Sequence, residues 1–425
     1  MENKKRTKFH HIKFLVHNSL QASDWHVTRF GFKRFAFKKN NGRSSHVVKQ
    51  GEVILWFESF FNAINLTNRI GVKMENEIER EEKDRGEEYK EYKEYDDYLK
   101  FVKRGGDGVS DIAFEVDDCR ACFEESLSRG ASPLQQPTTL RDSKGEVVIS
   151  RIKSPVEGIS HSFVERKNYD HKLFLPGFDL VEERRAGEED PLSHLFGQVK
   201  LEYVDHAVQN VYEGEMEGNV EWYENVLQFE RFYSVDSSLI TTKQTSLSTV
   251  ALSTPNPTIR DPKLLIAEPS SATTSSKSQI SEFLDFNGGR GVQHIALFTS
   301  NIIHSISSLK KRGVEFIRIP PLYFLQLKER LLKEEGKMKE RLFPLLEKFQ
   351  ELGLLVDFDD KGFLMQIFTK PTNSRPTFFY EIIQRENNTS FGARNILALF
   401  QVPNFSFNTK INVSLTLISF LKKGN

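Results

Sequence analysis

The 425-residue chain has only two cysteines, Cys119 and Cys122. A disulfide framework is therefore excluded, and a reducing compartment fits. A single C-x-x-C without a second pair is a poor zinc or redox motif. No apolar run reaches the roughly 18 residues of a membrane-spanning helix. The basic start, Met1 to Lys8, lacks the apolar stretch of a secretory signal. Net charge is absent too, with 59 Lys+Arg against 59 Asp+Glu. Nothing in the composition argues for nucleic acid or an anionic surface, so recognition by shape and chemistry is expected. What the chain has in quantity is phenylalanine, 35 residues, within a 38% hydrophobic composition that supports sizeable cores. Its length predicts two domains.

The chain repeats itself. His10-His11-Ile12 opens a short strand, with Trp25, Phe32 and Phe35 following. His206-Ala207-Val208 opens another, and Trp222, Phe229 and Phe232 follow at matching offsets. Asp111-Ile112-Ala113-Phe114 pairs likewise with His294-Ile295-Ala296-Leu297, each ahead of an amphipathic helix ending at glycine, Gly130 or Gly313. Phe163-Val164-Glu165 matches Phe379-Tyr380-Glu381. One module of strand, helix and several strands, used four times with two modules per half, accounts for these pairs. On this alignment His206, His294 and Glu381 correspond to His11, Asp111 and Glu165.

The expected organisation is an N-terminal non-catalytic domain over 1–180, a linker over 181–198, a C-terminal domain over 199–401 and a divergent tail over 402–425. Phe174-Leu175-Pro176-Gly177-Phe178 reads as the start of the link. Within the first domain, 75–104 is dense in Glu and Lys and predicts a solvated insertion, helical through i,i+4 pairs and outside the core. Residues 255–277, rich in Ser, Thr and Pro, predict a loop with one short apolar run, Leu264-Leu265-Ile266. Residues 325–349 predict one or two surface helices.

His206, His294 and Glu381 are nearly evenly spaced, so they reach one point only if three strands of a curved sheet converge. Two histidines and a carboxylate are the set that holds Fe(II) with open positions for oxygen and substrate. Zinc with the same ligands is the competitor. Gln293 and Gln366 offer amides to orient a polar group, and Phe368 and Phe379 offer flat walls, which together suggest an aromatic substrate.

Gly291-Val292-Gln293-His294-Ile295-Ala296-Leu297, Leu364 to Pro371, Arg375 to Arg385 and Phe391-Gly392-Ala393-Arg394-Asn395 resemble the 4-hydroxyphenylpyruvate dioxygenase family. The Phe-Leu-Pro-Gly-Phe segment and Gly106 to Cys119 extend the resemblance into the first half, over roughly 9–401. It implies the vicinal oxygen chelate fold, an α+β architecture of repeated βαβββ modules whose C-terminal half is an open barrel around the metal. It also implies Fe(II) held by His206, His294 and Glu381. The implied substrates are O2 and 4-hydroxyphenylpyruvate, whose own 2-oxo acid replaces 2-oxoglutarate in a decarboxylating hydroxylation. Gln279, Thr249, Ala267, Phe391, Asn395 and Ile396 join Gln293, Gln366, Phe368 and Phe379 as implied substrate contacts. Dioxygenases of the family usually carry Pro-Ile-Asn-Glu-Pro where this chain has Leu265-Ile266-Ala267-Glu268-Pro269, and phenylalanine where it has Ile396. These departures look like the 4-hydroxyphenylpyruvate dioxygenase-like proteins of animals, which resemble 4-hydroxymandelate synthases and are associated with mitochondria and the ubiquinone headgroup. The expected product is accordingly 4-hydroxymandelate, with homogentisate from tyrosine catabolism and an inactive fold-retaining homologue as alternatives. A mitochondrial location, with the cytoplasm as alternative, and a homodimer are expected on the same ground. Val402-Pro403 predicts an early end to the last helix and a short cap over the site.

Overall fold

A computed structural model describes residues 7–40, 42–61, 87–181, 190, 192–235, 247–270, 278–392 and 395. The first module runs β1 (Thr7–Leu15), α1 (Ser19–Phe30), β2 (Lys33–Asn40), β3 (Arg43–Gln50) and β4 (Val53–Phe60). After α2 (Glu87–Gly105), the second runs β5 (Gly108–Val116), α3 (Cys119–Ser128), β6 (Pro133–Asp142), β7 (Gly145–Lys153) and β8 (Ser160–Arg166), with a short β9 (Asp179–Leu180) behind it. The third comprises β10 (Tyr203–Asn210), α4 (Met216–Leu227), β11 (Glu230–Val235), β12 (Leu247–Ser253) and β13 (Lys263–Pro269). Following α5 (Gln279–Asn287), the fourth comprises β14 (Gly291–Phe298), α6 (Ile302–Lys311), α7 (Pro321–Lys333), shorter helical turns up to Leu352, β15 (Leu355–Phe358), β16 (Phe363–Phe368) and β17 (Phe379–Glu386). Among the described residues no helix is long and apolar enough to cross a membrane.

The βαβββ repeat is visible in the pairing. The first strand of each module lies parallel to its last, in β1 with β4, β5 with β8, β10 with β13 and β14 with β17. Antiparallel contacts β1–β5 and β10–β14 then join two modules into each curved mixed sheet, in the orders β6-β7-β8-β5-β1-β4-β3-β2-β9 and β11-β12-β13-β10-β14-β17-β16-β15. In three of the four modules a short polar side chain caps the start of the helix. Asn18, Asp118 and Asn301 each accept from a backbone N–H in the first turn of α1, α3 and α6. Gly31 ends α1 at φ 71°, in the left-handed region that glycine adopts without penalty.

The helix-bearing faces of both sheets share one apolar cluster. Phe14, Val27 and Phe30 of the first half meet Val220, Phe378 and Tyr380 of the second there. The opposite faces remain separate. That of the first sheet is filled by Phe174, Leu175, Val47, Ile149 and Val164 and by a buried ion pair, Lys13 Nζ to Glu58 Oε2 at 2.6 Å. That of the second holds Val208, Ala251, Leu265, Ala267 and Phe391, with Phe283 of α5 against them.

Four expectations change. Glu165 is not the counterpart of Glu381. The β5–β8 ladder pairs Asp111 with Ser160 and Phe114 with Phe163, which sets Ser162 in register where β17 carries Glu381. Glu165 instead accepts from the Cys119 N–H and pairs with Lys167. The charged insertion is not wholly outside the core, because α2 buries Tyr95, Tyr98 and Val102 against Leu15 and Phe60, and its residues 75–86 lie outside the described residues. Phe174 and Leu175 are core rather than link. Leu264-Leu265-Ile266 belongs to a strand between β12 and β10, not to a loop.

Candidate metal centre

His206, His294 and Glu381 arrive from three adjacent strands. His206 on β10 lies opposite Ala296 of β14, which lies opposite Glu381 of β17, while His294 lies opposite Val208 and Phe379. One ligand atom from each falls within 4.8 Å of the others. Glu381 Oε2 is 3.3 Å from His206 Nε2 and 3.5 Å from His294 Nε2. With bonds of about 2.1 Å, neighbouring corners of an octahedron lie about 3 Å apart, close to both Glu381 distances, and a divalent ion would draw the whole set in from its 4.8 Å span.

Two bulges arm the histidines. The β10–β14 ladder skips Asp205 on one strand and Gln293 on the other. An unpaired residue breaks the alternation of faces, so that neighbouring side chains can meet. Asp205 Oδ1 lies 2.8 Å from His206 Nδ1, and Gln293 Oε1 lies 3.1 Å from His294 Nδ1. Each acceptor fixes a proton on Nδ1 and frees Nε2 to ligate. Behind Asp205 stands Arg385, which donates from Nη2 at 2.8 Å and Nε at 3.1 Å. Its remaining Nη1 donates to the Asn388 and Ser390 carbonyls. The first half has the same bulges at His10 and Ser110 without the ligand set.

Burial dominates the electrostatics and is outweighed where charges meet. It would raise the Asp205 carboxyl, yet the Arg385 guanidinium, the His206 hydrogen bond and Lys263 hold it well below the usual carboxylate range. Burial opposes charge on His206, but Glu381 and Asp205 raise its pKa. His294, with no carboxylate behind it, is lowered by burial. Glu381 is lowered despite burial, through His206 and His294.

The expected substrate contacts separate into groups. Phe379 stacks on His294 with ring centroids 4.8 Å apart, Phe368 meets the same ring edge-on at 6.0 Å, and Phe391 meets His206 at 5.0 Å. Gln366 is buried on β16, its Oε1 unpartnered among the described residues. Asn395 is fully buried, accepts from the Tyr323 hydroxyl at 2.9 Å and has no partner for Nδ2 among the described residues. Gln366 and Asn395 face each other across Gly392, where a Cβ would meet both amides. Ala267 lies in the apolar lining opposite Thr249. Three positions differ from the expectation of open contacts. Gln293 is engaged with His294. The Thr249 hydroxyl donates to the Ile266 carbonyl at 3.1 Å. Gln279 opens α5, only partly buried. Ile396 and the tail lie outside the described residues. Asp205 and Arg385 were missed. An acidic residue directly before a strand histidine was the one signal available for Asp205.

The Glyoxalase/Bleomycin resistance protein/Dioxygenase superfamily pattern matches residues 203–334. A 4-hydroxyphenylpyruvate dioxygenase of Dictyostelium discoideum is 37% identical over 95% of this chain and 99% of its own. One of Danio rerio is 38% identical over 94% and 90%. The chain therefore belongs to the 4-hydroxyphenylpyruvate dioxygenase family. A mutant 4-hydroxymandelate synthase from Streptomyces coelicolor shares the fold, with a TM-score of 0.71 at 24% identity over 93% of this chain and 97% of that one.

Proposed function

We propose that this chain is an Fe(II)-dependent oxygenase that decarboxylates and hydroxylates 4-hydroxyphenylpyruvate, with 4-hydroxymandelate as product. The observation that carries the reading is the convergence of His206 Nε2, His294 Nε2 and Glu381 within 4.8 Å, in a family whose curated members are named for this substrate. Two imidazole nitrogens and one carboxylate suit Fe(II) better than a closed structural site, because three positions stay open. Iron bound there would chelate the oxo acid and activate O2.

The chain's own residues do the rest. Asp205 and Gln293 hold both imidazoles in the tautomer that ligates through Nε2. Phe368, Phe379 and Phe391 exclude water around the histidines, which strengthens every electrostatic interaction inside. The free Oε1 of Gln366 and Nδ2 of Asn395 are poised to orient polar groups of the substrate. Ala267 presents only a methyl in the lining, so the ring is held there by shape, and a ring that settles deeper offers its benzylic carbon to the metal. That supports 4-hydroxymandelate. The name of the curated relatives, 4-hydroxyphenylpyruvate dioxygenase, favours homogentisate as the second reading.

The test is incubation of iron-loaded protein with 4-hydroxyphenylpyruvate and O2, with the product identified by chromatography. 4-Hydroxymandelate supports the first reading and homogentisate the second. Absence of oxo-acid-dependent oxygen uptake refutes both and leaves an inactive homologue, against which the intact triad argues.

A further inference from the structure

Asn210 is the last residue of β10, on the strand that carries His206. Gln209 beside it turns to the helices, where its Nε2 donates to the Tyr223 hydroxyl at 2.9 Å. Val208 turns the other way and packs with Leu265, Ala267, Phe283 and Phe391. Alternation along the strand therefore aims Asn210 into the same lining as Val208 and His206. Its side chain is fully buried, and among the described residues neither Oδ1 nor Nδ2 has a partner.

A buried amide with both ends unsatisfied is costly, because each group forfeits its hydrogen bonds to water. Its neighbours offer no relief. Asn210 lies in register with Ala267 on one side and Gly291 on the other, neither of which carries a polar side chain. The nearest hydroxyl in the same row, Thr249, lies opposite Ala267 and is already committed to a backbone carbonyl. Such a group persists where a ligand completes it.

We infer that Asn210 is a specificity-determining residue that receives the ring hydroxyl of the substrate, its Oδ1 accepting from the phenol O–H and its Nδ2 donating to the phenol oxygen. The inference rests on the proposed function. His294 lies opposite Val208, which marks the level of the metal ligands along β10, and Asn210 is two residues further on. At roughly 3.3 Å per residue it stands about 7 Å beyond that level, roughly the span of a phenyl ring and its hydroxyl. The apolar lining on this face is Val208, Leu265, Ala267, Phe283 and Phe391. One amide at the far end then reads the para position, and an analogue without the hydroxyl leaves that amide unpaired, which is how a site rejects an isostere lacking a polar group.

The test is anaerobic calorimetric binding of 4-hydroxyphenylpyruvate and phenylpyruvate to Fe(II)-loaded wild type, Asn210→Leu and Asn210→Ser, with melting temperatures of the metal-free proteins. The wild type should prefer the hydroxylated acid by at least about tenfold. In Asn210→Leu that ratio should fall towards one, with a melting temperature no lower than that of the wild type, since an unpartnered amide has gone from an apolar lining. Asn210→Ser, which keeps a smaller donor and acceptor, should give an intermediate ratio and serves if the leucine variant does not fold. An unchanged ratio in either variant overturns the inference, as does a leucine variant melting well below wild type, which would mean that the amide is satisfied within the fold. If the wild type binds neither acid, the proposed function itself fails, and that result is read in the wild type alone.

Discussion

His26 on α1 accepts a hydrogen bond from the Tyr380 hydroxyl of β17 at 2.9 Å, and His161 on β8 accepts one from Tyr223 of α4 at the same distance. His26 and Tyr223 occupy equivalent places on the helices of the first and third modules. His161 and Tyr380 are equivalent on the last strands of the second and fourth, one step before Ser162 and Glu381 respectively. The repeat thus ties its halves together by one contact used twice with the two side chains exchanged. In each histidine Nδ1 faces a backbone carbonyl, of Ala22 or Ile112, so Nδ1 carries the proton and Nε2 accepts.

Burial pushes both histidines down to about 4. An unfolded histidine titrates near 6.5. Between these values the unfolded chain binds more protons, so stability is fully present above about pH 6.5 and falls as the pH drops towards 4, by up to about 3 kcal/mol for each histidine. The melting temperature should fall on acidification from pH 7 to 4.5, and less steeply in His161→Phe. The Tyr223 hydroxyl keeps Ser154 and Gln209 as partners in that variant. An identical slope for wild type and variant would mean that His161 does not carry this effect.

Asp205 should matter both to the metal and to the fold, because it also neutralises the buried Arg385 guanidinium. Asp205→Asn keeps an acceptor for the His206 Nδ1–H but removes the negative charge that raises the basicity of His206. Loss of such a carboxylate behind a ligating histidine typically weakens metal binding by about 10 to 100-fold. Co(II) titration followed by visible absorption gives the affinity directly. Gln293→Leu, which removes only a neutral acceptor from His294, should weaken binding less, and the opposite ranking would contradict the roles assigned to the two bulges.

His206, His294 and Glu381 were legible because ligand chemistry and internal repetition point at the same three positions. Asp205 was not, and Gln293 was read as a substrate contact and not as the partner of His294, since a strand read with strict alternation sends neighbouring side chains to opposite faces, and only the ladder reveals a skipped residue. Glu165 was matched to Glu381 because Phe-x-Glu recurs in both segments, whereas backbone register puts Ser162 there. In α2 the charge density concealed Tyr95, Tyr98 and Val102, which share one helical face and one core. Asn210 carried no signal in the sequence, because its meaning comes from partners it lacks in space.

Metal should bind once per chain, through the second half. Apo His206 is raised while Glu381 is lowered, the two stabilising each other's charged form. A metal must displace that proton, so the Co(II) dissociation constant should rise as the pH falls from 8 to 6. Excess Co(II) should raise the melting temperature by linkage, by about 2.7 kcal/mol of stability at a hundredfold excess over Kd. His294→Ala should abolish the shift. Two equivalents per wild-type chain, or an undiminished shift in the variant, would place a site elsewhere.

The first half is expected to hold no metal because its interior is already occupied by charge. Lys13 and Glu58 pair at 2.6 Å, Lys13 also lies over the Trp56 ring at 4.1 Å, and Asp111 is tied to Ser160 and Ser162. Burial lowers the Lys13 pKa while Glu58 opposes that change, and Glu58 stays below its usual range because Lys13 outweighs its own burial. Lys13→Met leaves the Glu58 carboxylate buried without its partner, and breaking a buried pair from one side costs about 3 to 5 kcal/mol. Lys13→Met/Glu58→Leu removes both charges and should recover most of that loss. A chemical-denaturation cycle over the two positions measures the coupling. Co(II) affinity should be the same in every folded member, because the pair fills the sheet that carries no metal ligands. A double variant no more stable than Lys13→Met, or a changed affinity, would show that this interior acts on the metal centre and does more than fill its own half.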